Sequence, residues 1–228
     1  MNSGSLAVFD LDGTITRRDT LAPFLWGFLW RRPWLLPRVL LALPAAARFV
    51  FNRDRGILKG ALIHATMGGA KRASVERWAA LFVAGLLHQG LYGEALGAIA
   101  MHRTRGDRLL LMSASTDLYV PRIARALGFD ETICSEVRWR ADGRLDGRLA
   151  TANCRGEEKR RCLAAVIARD APGRVYAYGD SRADLAHMQL VREAYLVNAP
   201  VRLTQRGSPH VRALRWRTRA GHQSRRIK

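Results

Sequence analysis

Asp10 and Asp12 stand two positions apart at the end of the apolar run Leu6-Ala-Val-Phe9, with Gly13 and Thr14 directly behind them. Alternate residues of a strand point the same way, so at a strand end two carboxylates can share one site, and a glycine lets the chain turn away from it. Two anions that close repel each other, and a hard divalent cation with oxygen ligands, such as Mg2+, makes them compatible. One carboxylate can then serve as a nucleophile and the other as its proton-transfer partner.

Three further segments supply complementary groups. Arg108-Leu-Leu-Leu-Met-Ser113-Ala114-Ser115 is a second apolar strand ending in hydroxyls, with Asp117 behind it as a helix cap. Free backbone N–H groups where such a strand meets a helix bind phosphate oxygens. Arg174-Val-Tyr-Ala-Tyr-Gly179 is a third strand, ending in Asp180 and Asp184. Between them, Asn153-Cys-Arg-Gly-Glu-Glu-Lys159 opens a helix with a lysine near its first turn, where the helix dipole favours acids.

Together the four segments resemble the haloacid dehalogenase superfamily, in its phosphoserine-phosphatase-like branch, subfamily IB, with a helical cap inserted after the first motif. The resemblance covers the chain to about residue 200. It implies a Mg2+-dependent phosphomonoester hydrolase with an aspartyl-phosphate intermediate. Asp10 would attack phosphorus, and Asp12 would protonate the leaving alcohol and then activate water. Ser113 would hold a phosphoryl oxygen and Lys159 would neutralise the transferring group. Gly13, Thr14, Ala114 and Ser115 would surround the phosphate, with Asp19 facing the substrate. The metal set implied is Asp10, Asp12 through its backbone carbonyl, Asp180 and Asp184. An acid at Asp12 separates the phosphatases from the dehalogenases, which need neither metal nor acid there, and from the ion-pumping ATPases, which carry threonine.

The elements that must position these groups follow from where the motifs fall. Strands at 6–10, 108–113, 174–178 and 194–198 alternate with helices at 118–127, 157–169 and 182–191, which implies a Rossmann-like parallel sheet with its site at the strand ends. Ile133 to Trp139 and Arg144 to Leu149 read as a hairpin about the Ala141-Asp142-Gly143 turn. The core is expected at 1–16 and 104–200, an inserted helical cap at 17–103, and a frayed basic tail at 201–228. Within the cap, helices are expected at 21–30, 34–51, 57–66, 74–88 with Ser74 as its cap, and 93–103.

Leu21 to Trp30 is apolar on every face and Trp34 to Phe51 nearly so, which implies burial in protein or in lipid. As a membrane span the second stretch is poor. Pro37 and Pro44 interrupt it, and Arg38 and Arg48 leave nine uncharged residues between them, against the roughly 20 that a crossing needs. Tryptophans and arginines beside short apolar helices suit the headgroup region of a bilayer.

The formal net charge is +19, and no acid occurs from Arg202 onward. Such a surface favours anionic partners, and no recognition motif points to a specific nucleic acid. Three cysteines without a Cys-x-x-Cys spacing read as reduced thiols. Met1 to Ser5 runs straight into the catalytic strand with no signal-peptide pattern. The expectation is a cytoplasmic enzyme, peripheral at the inner face of the membrane. An apolar cap, a basic surface and a phosphomonoesterase site suggest an anionic lipid phosphate such as phosphatidylglycerophosphate, and the arginine-punctuated cap with Asn153-Cys154 before Lys159 is similar to the phosphatidylglycerophosphatase C family. The alternatives are a soluble phosphatase for a small substrate such as phosphoserine, and a non-catalytic basic protein that binds membrane or nucleic acid.

Overall fold

The computed structural model describes residues 4–52, 54–206 and 210–217. Its main sheet has six parallel strands in the order β3-β2-β1-β6-β7-β8: β1 (Leu6–Phe9), β2 (Arg108–Thr116), β3 (Glu131–Ser135), β6 (Val175–Gly179), β7 (Glu193–Val197) and β8 (Val211–Leu214). β1 lies centrally, in register with Leu109 to Leu111 of β2 on one side and Tyr176 to Tyr178 of β6 on the other. Its four residues are all buried, as a continuous apolar run in a doubly covered parallel sheet must be. Alternation divides them. Ala7 and Phe9 join the core that meets the inserted helices, and Leu6 and Val8 join the opposite core with Leu163 and Val166 of α7 (Glu157–Asp170).

The insertion between β1 and β2 holds α1 (Leu21–Trp30), a 3-10 helix (Pro33–Ala42), α2 (Leu43–Asn52), α3 (Arg55–Met67), α4 (Arg72–Gln89) and α5 (Gly93–Thr104). Phe24 and Phe28 of α1 are wholly buried, and the Trp78 indole of α4 donates to Phe24 O at 3.0 Å. The expected helix over 34–51 is thus two pieces of different winding. Pro37 and Pro44 each remove a backbone donor, and the first ten residues adopt the tighter 3-10 form.

Several boundaries differ from the sequence reading for identifiable reasons. The expected hairpin strand 133–139 divides at Glu136. β3 joins the main sheet beside β2, and only β4 (Val137–Trp139) pairs with β5 (Leu145–Leu149), so that this two-stranded sheet packs against α3. Gly147, with φ +92°, lets the hairpin approach α3, since a Cβ there would strike the His64 backbone. Ser74 is not a cap, because α4 already begins at Arg72. Asp117 accepts a bond from Val137 N at 3.0 Å and leaves α6 (Val120–Leu127) uncapped by a side chain. The helix read over 182–191 is short, α8 (Leu185–Met188), because Ser181 to Asp184 form a side-chain-closed turn. Part of the stretch read as a frayed tail is ordered: α9 (Val201–Arg206) is followed by β8, which pairs with Ala194 to Val197 of β7. Residues 207–209 and 218–228 of that stretch lie outside the described residues.

Candidate active site

The site forms where β1, β2 and β6 end, with α7 and the inserted helices closing over them. Asp10 is held in place by its own N–H, which donates to Tyr178 O at 2.9 Å. Lys159, in the first turn of α7, donates to Asp10 Oδ1 at 2.6 Å and to Asp184 Oδ1 at 2.7 Å. Asp184 Oδ2 in turn accepts from Ser181 N at 3.1 Å and Ser181 Oγ at 2.7 Å. Thr14 Oγ1 stands 3.4 Å from Asp10 Oδ2. Gly13, at φ +80°, passes so close to Asp180 that a Cβ would collide with its carboxylate.

Asp12 is fixed separately. Its Oδ1 accepts from Thr20 N at 2.8 Å and Thr20 Oγ1 at 2.6 Å, and its Oδ2 accepts from Ser115 Oγ at 2.6 Å. Thr20 Oγ1 also lies 2.9 Å from Tyr119 OH, so the side chain of Asp12 sits on a buried hydroxyl network. Ser115 and Ala114 line the cleft, whereas Ser113 is wholly buried with its Oγ accepting from Ser115 N at 3.0 Å. Asp19 is exposed at the cleft edge, and its Oδ1 accepts from Leu21 N and Ala22 N at the start of α1.

Burial opposes charge on Asp10, Asp12, Asp180 and Asp184, and the partners decide the outcome. Asp10 is raised well above the ordinary carboxylate range by burial, with Lys159 opposing and the Asp184 and Asp12 charges reinforcing. Burial also opposes ionisation of Asp184, but Lys159 and the Ser181 hydrogen bond outweigh it and hold that carboxyl below the usual range. Lys159 remains charged, because the two acids overcome its own burial. One ammonium thus bridges Asp10 and Asp184, and of these two only Asp184 also receives the Ser181 bonds. Asp180 is pushed up to about 7 by burial and by Asp184. Burial raises Asp12 as well, against the bonds from Ser115 and Thr20.

Asp10, Asp180 and Asp184 can each bring one ligand oxygen within 4.8 Å of the others. An all-oxygen set carrying this much mutually repelling charge suits a hard divalent cation.

Sequence reasoning missed Thr20, Tyr119 and Lys59. Lys59 descends from α3 into the cleft, almost wholly buried, where Nζ donates to Ala114 O and, at 2.5 Å, to Asn153 Oδ1. Burial pushes it down to about 8, with Asp12 opposing. Its signal was available, since Arg55 and Lys59 lie four apart in the apolar first half of α3 and therefore on one face. Arg17, Arg18, Arg55 and Arg155 also line the cleft of about 390 Å³, and among the described residues none of these four, nor Lys59, is in a salt bridge.

The sequence pattern described as haloacid dehalogenase-like hydrolase matches residues 7–189. The CicA protein of Caulobacter vibrioides (strain NA1000 / CB15N) is 35% identical over 189 residues, covering 82% of this chain and 83% of that one. A Mycobacterium tuberculosis (strain ATCC 25618 / H37Rv) protein called a "probable phosphatase" is 29% identical over 199 residues, covering 84% of this chain and 68% of its own. Among solved structures, one called a "probable phosphoserine phosphatase" from Vibrio cholerae superposes with a TM-score of 0.69 at 13% identity, covering 92% of this chain and 60% of that one.

Proposed function

This chain belongs to the haloacid dehalogenase-like hydrolase family, and from that premise we propose that it is a Mg2+-dependent phosphomonoester hydrolase acting on an anionic lipid phosphate such as phosphatidylglycerophosphate, at the cytoplasmic face of a membrane. The observation that carries the catalytic reading is the Asp10–Lys159–Asp184 triplet beside an independently held Asp12. Asp10 attacks phosphorus, the ester P–O bond breaks, and Asp12 gives its proton to the departing alkoxide. Asp12 then takes a proton from water, whose oxygen attacks the aspartyl-phosphate, releasing inorganic phosphate and restoring the Asp10 carboxylate. Lys159 balances the charge that spreads over the transferring group. The side chains of Asp10, Asp180 and Asp184 with the Asp12 carbonyl would hold Mg2+, which supplies further neutralisation of that charge.

The substrate reading rests on the cleft walls. Arg17, Arg18, Arg55, Lys59 and Arg155 exceed what one phosphomonoester needs and suit a substrate with a second anionic group, such as a phosphodiester. A second groove, lined by Leu41, Ile57, Ala61 and Leu149 together with Asp54, His64, Arg148 and Thr151, shares Asn153 with the cleft and offers a partly apolar path for the rest of such a molecule. Asp19 already serves the α1 backbone, which weakens the case for an amine reader and for phosphoserine. The test is Mg2+-dependent phosphate release from phosphatidylglycerophosphate in mixed micelles beside phosphoserine at equal concentration, with Asp10→Asn as blank. Preference for the lipid supports the substrate reading, and preference for phosphoserine overturns it while leaving the chemistry intact.

A further inference from the structure

The inserted helices leave one large surface uncovered. On α1, Phe24, Leu25, Phe28 and Leu29 are buried, while Trp26 and Trp30, one turn apart, face outward with Trp30 72% exposed. The exposed apolar surface continues through Trp34 (70%), Leu40 and Leu41 of the 3-10 helix to Leu43, Val50 and Phe51 (88%) of α2. α2 buries no residue at all. A monomer in water does not hold so many large side chains in solvent without a partner for them.

Pro33–Asn52 is long and apolar enough, at 20 residues and mean hydropathy 1.5, to cross a membrane by composition. The packing argues against a crossing. α1 before the segment and α3 after it pack on each other, and a single crossing would place its two ends on opposite sides of the bilayer. The segment is also broken at Ala42 into windings of two kinds and carries Arg38 and Arg48.

Charge identifies the occupant. From Thr20 to Asn52 there are four arginines, Arg31, Arg32, Arg38 and Arg48, and no acid. Arg32 lies over the Phe28 ring at 4.0 Å and Arg31 over Trp78 at 4.4 Å, so both sit at the border of the apolar face. A second copy of a chain with net charge +19 would bring the same cations against this face. An anionic leaflet complements it, with headgroups for the arginines and an acyl boundary for the tryptophans and leucines.

We propose that the outward face of α1, the 3-10 helix and α2 is a docking surface that lies in the headgroup region of an anionic bilayer without crossing it. It deepens the lipid reading of the site and rests on that reading for its orientation: Leu21 and Arg55, which bracket the segment in sequence, both line the catalytic cleft, so docking presents the cleft to the membrane.

Vesicle binding, measured without turnover, separates this proposal from the substrate reading. The full chain is sedimented with phosphatidylcholine vesicles and with vesicles containing a quarter phosphatidylglycerol, and tryptophan quenching by brominated lipid is recorded. Binding to the anionic vesicles alone, quenching, and a loss of affinity of about tenfold or more in Trp34→Asp/Phe51→Asp are expected. Both substitutions are on exposed side chains, so hydrolysis of a soluble aryl phosphate by the variant remains at the native level and reports an intact fold. Absence of binding to anionic vesicles at low salt overturns the proposal, as does binding that the double substitution leaves unchanged. A concentration-dependent dimer abolished by the same substitutions also overturns it, assigning the face to a second copy.

Discussion

Lys159 Nζ lies 2.6 Å from Asp10 Oδ1, with both side chains buried and the two residues 149 positions apart in sequence. The same ammonium holds Asp184, so Lys159→Met would leave buried acids without their cation. Loss of one member of a buried ion pair costs about 3–5 kcal/mol. The expected outcome is a lower denaturation midpoint together with phosphate release reduced by more than about a hundredfold. Chemical denaturation and steady-state assay of the same preparation check both.

Asp12 depends on hydroxyls from two distant elements, Thr20 before α1 and Ser115 at the end of β2. Ser115→Ala removes one of these bonds while leaving Thr20, so kcat is expected to fall about tenfold with the fold retained, since one hydrogen bond to a charged group is worth about 1.5–3 kcal/mol. Thr20→Val in addition would lower it further and expose Tyr119 OH to a missing partner. Measured kcat across the single and double variants, with circular dichroism for the fold, tests the network.

Lys59 is charged at neutral pH and loses its proton as pH rises through about 8. KM for a substrate with a second anionic group is therefore expected to rise above pH 8. In Lys59→Met, KM would be higher at pH 7, by about tenfold, and flat across the same range. The folded-state value lies below the unfolded one, so burial of the charged amine costs stability below pH 8 and the variant should be the more stable protein at neutral pH. KM profiles and thermal midpoints between pH 6.5 and 9.5 report both effects.

His187 is wholly buried, neither of its ring nitrogens has a hydrogen-bond partner among the described residues, and burial together with Lys159 pushes it down to about 3. The unfolded chain takes up a proton near 6.5 that the folded chain refuses until about 3, so stability is lost as pH falls through that window, by up to about 1.4 kcal/mol per pH unit. His187→Leu is expected to flatten this limb of the stability profile, as read by urea midpoints from pH 7 to 4.

The fold and the acids were legible because both follow local rules. Buried parallel strands read as continuous apolar runs, and Asp10, Asp12, Asp180 and Asp184 stand at the ends of two of them. What escaped was decided by contacts remote in sequence. Whether Ile133 to Trp139 forms one strand or two depends on the free edge of β2 and on α3, and neither is visible from the segment itself. Thr20 reaches Asp12 only because α1 packs through Phe24 against Tyr119, whose ring lies 4.5 Å away. β8 was hidden by composition, since Val211–Leu214 sits among basic and polar residues that read as tail.

The most direct test of the central claim is acid quenching of turnover with 32P-labelled substrate in the presence of Mg2+, followed by peptide mapping. The expected result is a hydroxylamine-labile label on the peptide containing Asp10, absent without Mg2+ and absent in Asp10→Asn, which also fails to release phosphate. Phosphate release that persists in Asp10→Asn, or label recovered on another residue, would contradict the account.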